Sequence, residues 1–288
     1  MSLLYGSNQL LILMSIFGLI FHFNDVSNDS AQFDSKLEKE FKESEAKPEV
    51  KFVANNGRSL RYIEVDHGES TAPAFIFVHG APGGADAFFE YLKDSSLFSH
   101  ALMISVDRLG YAGSAEGGAE PSIIMQAEAI EPLVQEFSDQ GRKVYLIGHS
   151  YGGPVIARLA MSMGDRVEGI MMLAPAIDPQ NEKQFWFARL GIVAPTKWIT
   201  PKAMQIAAYE KLRHVESLIE IEDRWNEISC EVIHMHGDRD MLVPSINLAY
   251  SQKMLTSADY KPIVLNGENH FLPWTQQDRI KALLKDWM

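Results

Sequence analysis

Short, largely apolar runs recur along the chain, separated by longer stretches whose apolar residues return every three or four positions. Phe75–Val78, Leu102–Val106, Val144–Ile147, Ile170–Leu173, Val232–Met235 and Ile263–Leu265 are runs of the first kind. Apolar residues at successive positions imply cover on both faces, which predicts buried parallel strands. Ile123–Phe137 and Pro154–Met163 lie between such runs and have helical length. Upstream, Lys51–Val53 and Leu60–Val65 flank Asn55-Asn56-Gly57. They read as a hairpin, because Asn-Gly supplies the positive φ that a tight turn needs. An antiparallel start followed by strands alternating with helices predicts the α/β class, an open and mostly parallel sheet with helices on both faces. Ligands of such sheets bind at the carboxyl ends of the strands.

Two regions depart from this rhythm. From about Ile177 to Asn226 no good strand appears, while Phe185, Trp186, Phe187, Trp198 and Trp225 accumulate on a helical period. This stretch is expected to form a small helical cap after the sixth strand, part of it lining an apolar pocket. At the other end, Leu10–Phe23 is almost wholly apolar, the tendency begins at Leu3, and the first basic residue is Lys36. Its length falls between a signal-peptide core and the roughly 20 residues of a bilayer span. A basic n-region and an Ala-x-Ala site are both missing. Residues 1–23 are therefore expected to be a membrane anchor or signal segment, with membrane association through residues 3–23 and an exported catalytic domain. Residues 24–49 form a polar linker of little core. Within it Phe33, Leu37 and Phe41 define one apolar stripe of a helix that Pro48 should stop, a spacer docking one face on the domain.

Composition narrows the function. The 288 residues are 46% hydrophobic, enough for a sizeable core, and the net charge of −12 excludes a broad nucleic-acid surface, which needs clustered Lys and Arg. The single cysteine, Cys230, rules out an internal disulfide framework and a cysteine-based zinc site, and its apolar setting points to packing.

The chemistry concentrates in Gly148-His149-Ser150-Tyr151-Gly152-Gly153, where an apolar strand runs through Gly-x-Ser-x-Gly into a helix. Side chains have no room in so sharp a turn, so glycines flank the serine and its hydroxyl is pushed into the open. A serine nucleophile needs a base and an orienting acid. His270 follows the last expected strand and fits the base. Asp240, in Gly237-Asp238-Arg239-Asp240, fits the acid, with Asp238 as the alternative. His149 is locked into the turn, His79 belongs to a loop, and His234 and His236 alternate within a strand, so structural roles are expected for all four. The amides of Tyr151 and of Ala81, in His79-Gly80-Ala81-Pro82, are the candidate oxyanion donors, since Pro82 has no N–H. Phe88, Trp186, Trp198 and Phe271 are candidate apolar contacts for a small-molecule substrate, and no metal set emerges.

Together with Phe77-Val78-His79-Gly80, Asp107-Arg108-Leu109-Gly110-Tyr111-Ala112-Gly113-Ser114 and Asn269-His270-Phe271, these motifs resemble the α/β-hydrolase fold superfamily over roughly Val50 to Met288. The resemblance implies an eight-stranded core, a lid, no cofactor, and hydrolysis through an acyl-enzyme. The Asp-Arg-x-Gly-Tyr segment is similar to that of epoxide hydrolases and haloalkane dehalogenases, which carry aspartate where Ser150 stands. The His-Gly-x-Pro-Gly loop is similar to that of proline iminopeptidases, from whose usual pattern Ala81 and His149-Ser150-Tyr151 depart. Cleavage of a carboxylic ester of a small or medium apolar substrate is the expectation. Amidase or aminopeptidase chemistry, carbon–carbon bond hydrolysis or perhydrolysis on the same triad, and a weakly catalytic binding module stand as alternatives.

Overall fold

A computed structural model describes residues 30–183, 193 and 198–288 of the chain. Eight strands form one sheet in the order β1-β2-β4-β3-β5-β6-β7-β8: Glu49–Asn55, Arg58–Val65, Ala74–Val78, Leu102–Val106, Val144–His149, Gly169–Leu173, Glu231–Gly237 and Asp259–Leu265 for β1 to β8. β1–β2 and β2–β4 pair antiparallel and every other pair is parallel. The β1–β2 turn uses Asn56 and Gly57, both at positive φ, as the Asn-Gly pair requires.

Alternation along the strands divides the core into two layers. Ile76, Val78, Ile104, Val106 and Leu146 face the helices α2 (Ile123–Asp139) and α3 (Gly152–Met163). Phe75, Phe77, Met103 and Ile147 face the opposite layer, which includes α1 (Ser30–Phe41) and the C-terminal helix. β3 to β6 are buried along their whole length, as their uninterrupted apolar runs predict. β8 departs from that expectation. Only Leu265 is buried and Val264 is 55% exposed, because β8 is the sheet edge.

Within the segment read as a polar linker, the expected helix docks its apolar stripe on the domain. Phe33, Leu37 and Phe41 are each buried, and Phe33 and Phe41 set their rings edge-on to Phe89 at 5.8 and 5.2 Å. α1 is further fastened by Asp34 to Arg61, whose guanidinium lies 4.2 Å over Phe33, and by Lys36 to Asp86 at 2.7 Å. The helix ends at Phe41, well before Pro48. In the cap, α4 (Lys202–Ile219) and a short 3-10 helix at Glu222–Glu227 supply the expected helical structure, and Trp225 is buried against Tyr250 at 5.7 Å. Asn247, on α5 (Asn247–Met254), accepts from the amides of Ile177 and Asp178 and so ties the root of the cap to the loop after β7. Among the described residues no helix is long and apolar enough to cross a membrane, and residues 3–23 lie outside the described residues.

Removing a buried Leu side chain removes transfer energy and leaves a cavity. Leu37→Ala should therefore lower the unfolding free energy by about 2–4 kcal/mol in a urea titration, as a core position does. A change below about 0.5 kcal/mol would mark α1 as a mere appendage.

Candidate active site

β5 delivers Ser150 to the carboxyl edge of the sheet with φ at +54°, a left-handed conformation that side-chain-bearing residues seldom adopt. Its neighbours explain why the chain needs glycine. A Cβ on Gly148 would lie 2.5 Å from the Gly152 carbonyl oxygen, one on Gly152 2.2 Å from the Val78 oxygen, and one on Gly153 2.4 Å from the Pro175 Cβ. The turn is clamped by Ser150 N–H to Leu173 O at 2.9 Å and by Gly153 N–H to Ser150 O at 3.0 Å. Ser150 itself remains partly exposed.

The imidazole of His270 donates from Nδ1 to Oδ2 of Asp240 at 2.7 Å. This leaves Nε2 as the ring's base. His270 is tied to the residue before Ser150: His149 Nε2–H donates to the His270 carbonyl at 3.0 Å, and the two rings are 4.9 Å apart. The other oxygen of Asp240 accepts from the amides of Leu242 and Val243 at 2.9 and 2.8 Å. Asp238 lies elsewhere, exposed and accepting from the amide of Gly267 at 2.7 Å as a turn residue does. Burial opposes ionisation of Asp240. The positive charge available at His270, the hydrogen bonds from His236 and His270, and the Val243 amide outweigh it and hold the carboxyl well below the usual range.

Gly80 packs so close to the nucleophile that a Cβ there would sit 3.0 Å from Ser150 Cβ. Ala81 follows it in the same loop, and Tyr151 opens α3. A buried cation fixes this loop. Arg108 donates through Nε to His79 O and through Nη2 to Gly80 O, both at 2.9 Å, while its own amide donates to His79 Nε2 at 3.0 Å. His79 Nδ1–H then closes onto Gly80 O at 2.7 Å. Glu210 of α4 answers the guanidinium with two oxygens at 2.5 and 3.2 Å and accepts from Tyr111 Oη at 2.6 Å. The loop over Ser150 and the cap helix are therefore joined through one ion pair that is fully buried on both sides.

The expected substrate contacts divide. Phe271 is partly exposed beside the base, its ring 5.8 Å from that of His270. Phe88 is not available to a ligand: it is fully buried in the layer opposite α2 and α3, 5.0 Å from Phe77 and 5.9 Å from Tyr91. Trp198 is 82% exposed. Trp186 lies outside the described residues. Cys230 packs against the core, where burial pushes its thiol up to about 12 and leaves it unreactive.

Arg108 and Glu210 are buried neighbours of the site to which the motif reading gave no role, and His236, expected to be structural, lies against Asp240. The signal for Glu210 was available: it shares a stripe with Ala203, Ile206, His214 and Ser217, all buried at helical spacing on α4. A charge on an apolar stripe implies a buried partner.

The chain matches the sequence profile of the alpha/beta hydrolase family over residues 75–283. A probable 1-acylglycerol-3-phosphate O-acyltransferase of Oryza sativa is 30% identical over 115 residues, which cover 38% of this chain and only 26% of that protein. The solved structure of a membrane phospholipase A, described as a bacterial virulence factor, superposes with a TM-score of 0.65 at 16% identity, covering 96% of this chain and 97% of the other. That of a putative lipase from Acinetobacter baumannii gives 0.63 at 18% identity, covering 88% and 96%.

Burial keeps His79, His149 and His234 uncharged, His149 with its pKa lowered to about 3, whereas each takes up a proton near pH 6.5 once unfolded. The stability tied to these rings is complete above that pH and is lost as the pH falls below it. Asp107 works in the opposite sense, since burial raises it to about 6 and unfolding releases its proton. The depressed carboxyl of Asp240 contributes its full stability above about pH 4 and loses it only below that, outside the range from pH 7 to pH 5. Unfolding near pH 5 should then take up roughly two protons, and calorimetry should show Tm falling from pH 7 to pH 5. A flat Tm over that interval would contradict the neutral-histidine assignment. With the family profile spanning more than two-thirds of the chain and an accessible serine on a strand-to-helix elbow beside a histidine held by an aspartate, the protein is a hydrolase belonging to the alpha/beta hydrolase family.

Proposed function

We propose that the chain cleaves carboxylic esters of apolar acyl groups through an acyl-enzyme on Ser150. The observation that carries this reading is the His270 Nδ1–Asp240 Oδ2 bond of 2.7 Å, with His270 anchored to the residue beside a left-handed Ser150. His270 Nε2 removes the Ser150 proton as Oγ attacks the carbonyl carbon, and the amides of Ala81 and Tyr151 receive the oxyanion. The tetrahedral adduct collapses, the alcohol leaves with the proton carried by His270, and the acyl group stays on Oγ. Water, deprotonated by the same ring, then releases the acid and restores the serine. Asp240 stays ionised throughout, stabilising the imidazolium.

Phe271, beside the base, supports an apolar acyl or alcohol group. The likeness to a membrane phospholipase A, a putative lipase and a probable 1-acylglycerol-3-phosphate O-acyltransferase supports an acyl lipid as the substrate class. The last of these favours a second reading, in which an alcohol rather than water takes the acyl group from Ser150. We further propose that residues 3–23 hold the chain at a membrane, with the catalytic domain exported.

Labelling with a fluorophosphonate and hydrolysis of a series of acyl esters should both depend on Ser150. Ser150→Ala should abolish the label and lower kcat on the order of 10⁴- to 10⁶-fold. Preference for aminoacyl amides over esters would overturn the esterase reading, and acyl transfer to 1-acylglycerol-3-phosphate exceeding hydrolysis would favour the second. For the membrane reading, the full-length chain should sediment with membranes while a chain starting at Asn24 stays in the supernatant. Both chains in the supernatant would remove the anchor.

A further inference from the structure

β7 carries His234 and His236, two positions apart and so on one face of the strand, and both are fully buried. His236 Nε2 lies 3.1 Å from Val243 O and 3.4 Å from Asp240 Oδ2. Both partners are acceptors, so this nitrogen bears the proton and divides it between them. His236 Nδ1 is then the acceptor for His234 Nε2–H at 3.1 Å. His234 Nδ1 accepts in turn from Ser251 Oγ at 2.9 Å. One arrangement of protons satisfies the whole row with neutral rings, and every donor in it points toward Asp240.

We propose that the buried row Ser251–His234–His236 is a positioning device for the hydrolytic site: His236 Nε2–H fixes Asp240 in the orientation that receives His270. The inference rests on the hydrolase reading above. Oδ1 of Asp240 is already taken by two amides, and Oδ2 accepts from His270 at 2.7 Å and from His236. A carboxylate offers about four acceptor sites, so Asp240 is saturated and cannot turn without losing a donor. An apolar pair at 234 and 236 would fill the strand face without the cost of desolvating two imidazoles. The titratable and charged groups facing this row are few. His149 comes from β5, His270 from the loop after β8, Tyr260 from β8 with its ring 6.5 Å from His234, and Lys183 from the cap acts on Asp240 through its charge. Burial, together with the charge of the neighbouring ring, keeps His234 neutral, in keeping with the single proton arrangement.

Two conservative variants of the full-length chain separate positioning from packing. In His236→Gln the amide reaches the place of Nε2 and can still donate to Asp240; in His236→Asn it stops near Nδ1 and cannot. With a p-nitrophenyl acyl ester, His236→Asn should lower kcat on the order of tenfold with KM unchanged. Its acidic limb of kcat/KM should move to higher pH, because a carboxylate with one donor fewer holds the imidazolium proton more tightly. His236→Gln should restore most of kcat and the original limb. Ser251→Ala, which removes only a hydroxyl at the far end, should shift both in the same direction by about twofold or less, and carries the test if His236→Asn does not fold. Asn and Gln variants alike in kcat and in pH profile would reduce the row to packing. Wild type that neither takes the fluorophosphonate nor cleaves any ester would overturn the hydrolase reading itself, whereas labelled and active wild type with an unaffected Asn variant overturns the positioning role alone.

Discussion

The closeness of backbone to backbone around Ser150 is the constraint on which the rest of the site depends. Val78, Gly148 and Gly152 meet at distances that admit hydrogen but not a methyl group. That compression forces the chain from strand into helix within one residue, and the residue at the apex takes a positive φ. A serine there pays a conformational penalty of about 1–3 kcal/mol, which the clamp from Leu173 and the buried start of α3 must offset. In return its hydroxyl faces solvent, and the first amides of a helix stand behind it.

A second constraint is electrostatic and works at longer range in the chain. Arg108 lies fully buried, and an unpaired guanidinium in that place would be prohibitively costly. Glu210 provides the countercharge from the cap, while the carbonyls of His79 and Gly80 absorb the remaining donors. Cap and oxyanion loop therefore share one ion pair, so a displacement of α4 that broke it would also release the loop beside the nucleophile. A second contact runs beside it: the Tyr151 ring stacks on His214 of α4 at 4.8 Å and lies under the Arg108 guanidinium at 4.5 Å, so the residue after Ser150 is seated on the same helix.

Legibility in the sequence followed the range of the interaction. β3 to β6 were readable because burial on both faces leaves an uninterrupted apolar run, and the Asn56-Gly57 turn because only certain residues tolerate its φ. Ser150 was readable for the same reason, its glycines being a local record of steric crowding. β8 was read as buried, since a run of three apolar residues does not record that the sheet stops there. The docking stripe of α1 was readable from its four-residue spacing, but not the partners it meets, Phe89 and Arg61, which are distant in sequence. Phe88 was misplaced by the same ignorance of which face a short helix presents, and Glu210 leaves only its place on the buried stripe of α4 as a mark, its partner Arg108 being distant in the chain.

Two imidazoles stand side by side at the nucleophile, and the difference between them decides where the serine proton can go. His270 has a carboxylate at Nδ1; His149 has none, and burial together with the charge that His270 can carry drives its own protonation down to about 3. His149 therefore stays neutral around neutral pH, with its Nε2–H spent on the His270 carbonyl. It acts on the backbone of the base and not on the reaction. Had a carboxylate served both rings, two imidazolium charges would have competed 4.9 Å apart. Placing the acid on one side of the pair leaves His270 as the ring of the two with a countercharge at Nδ1.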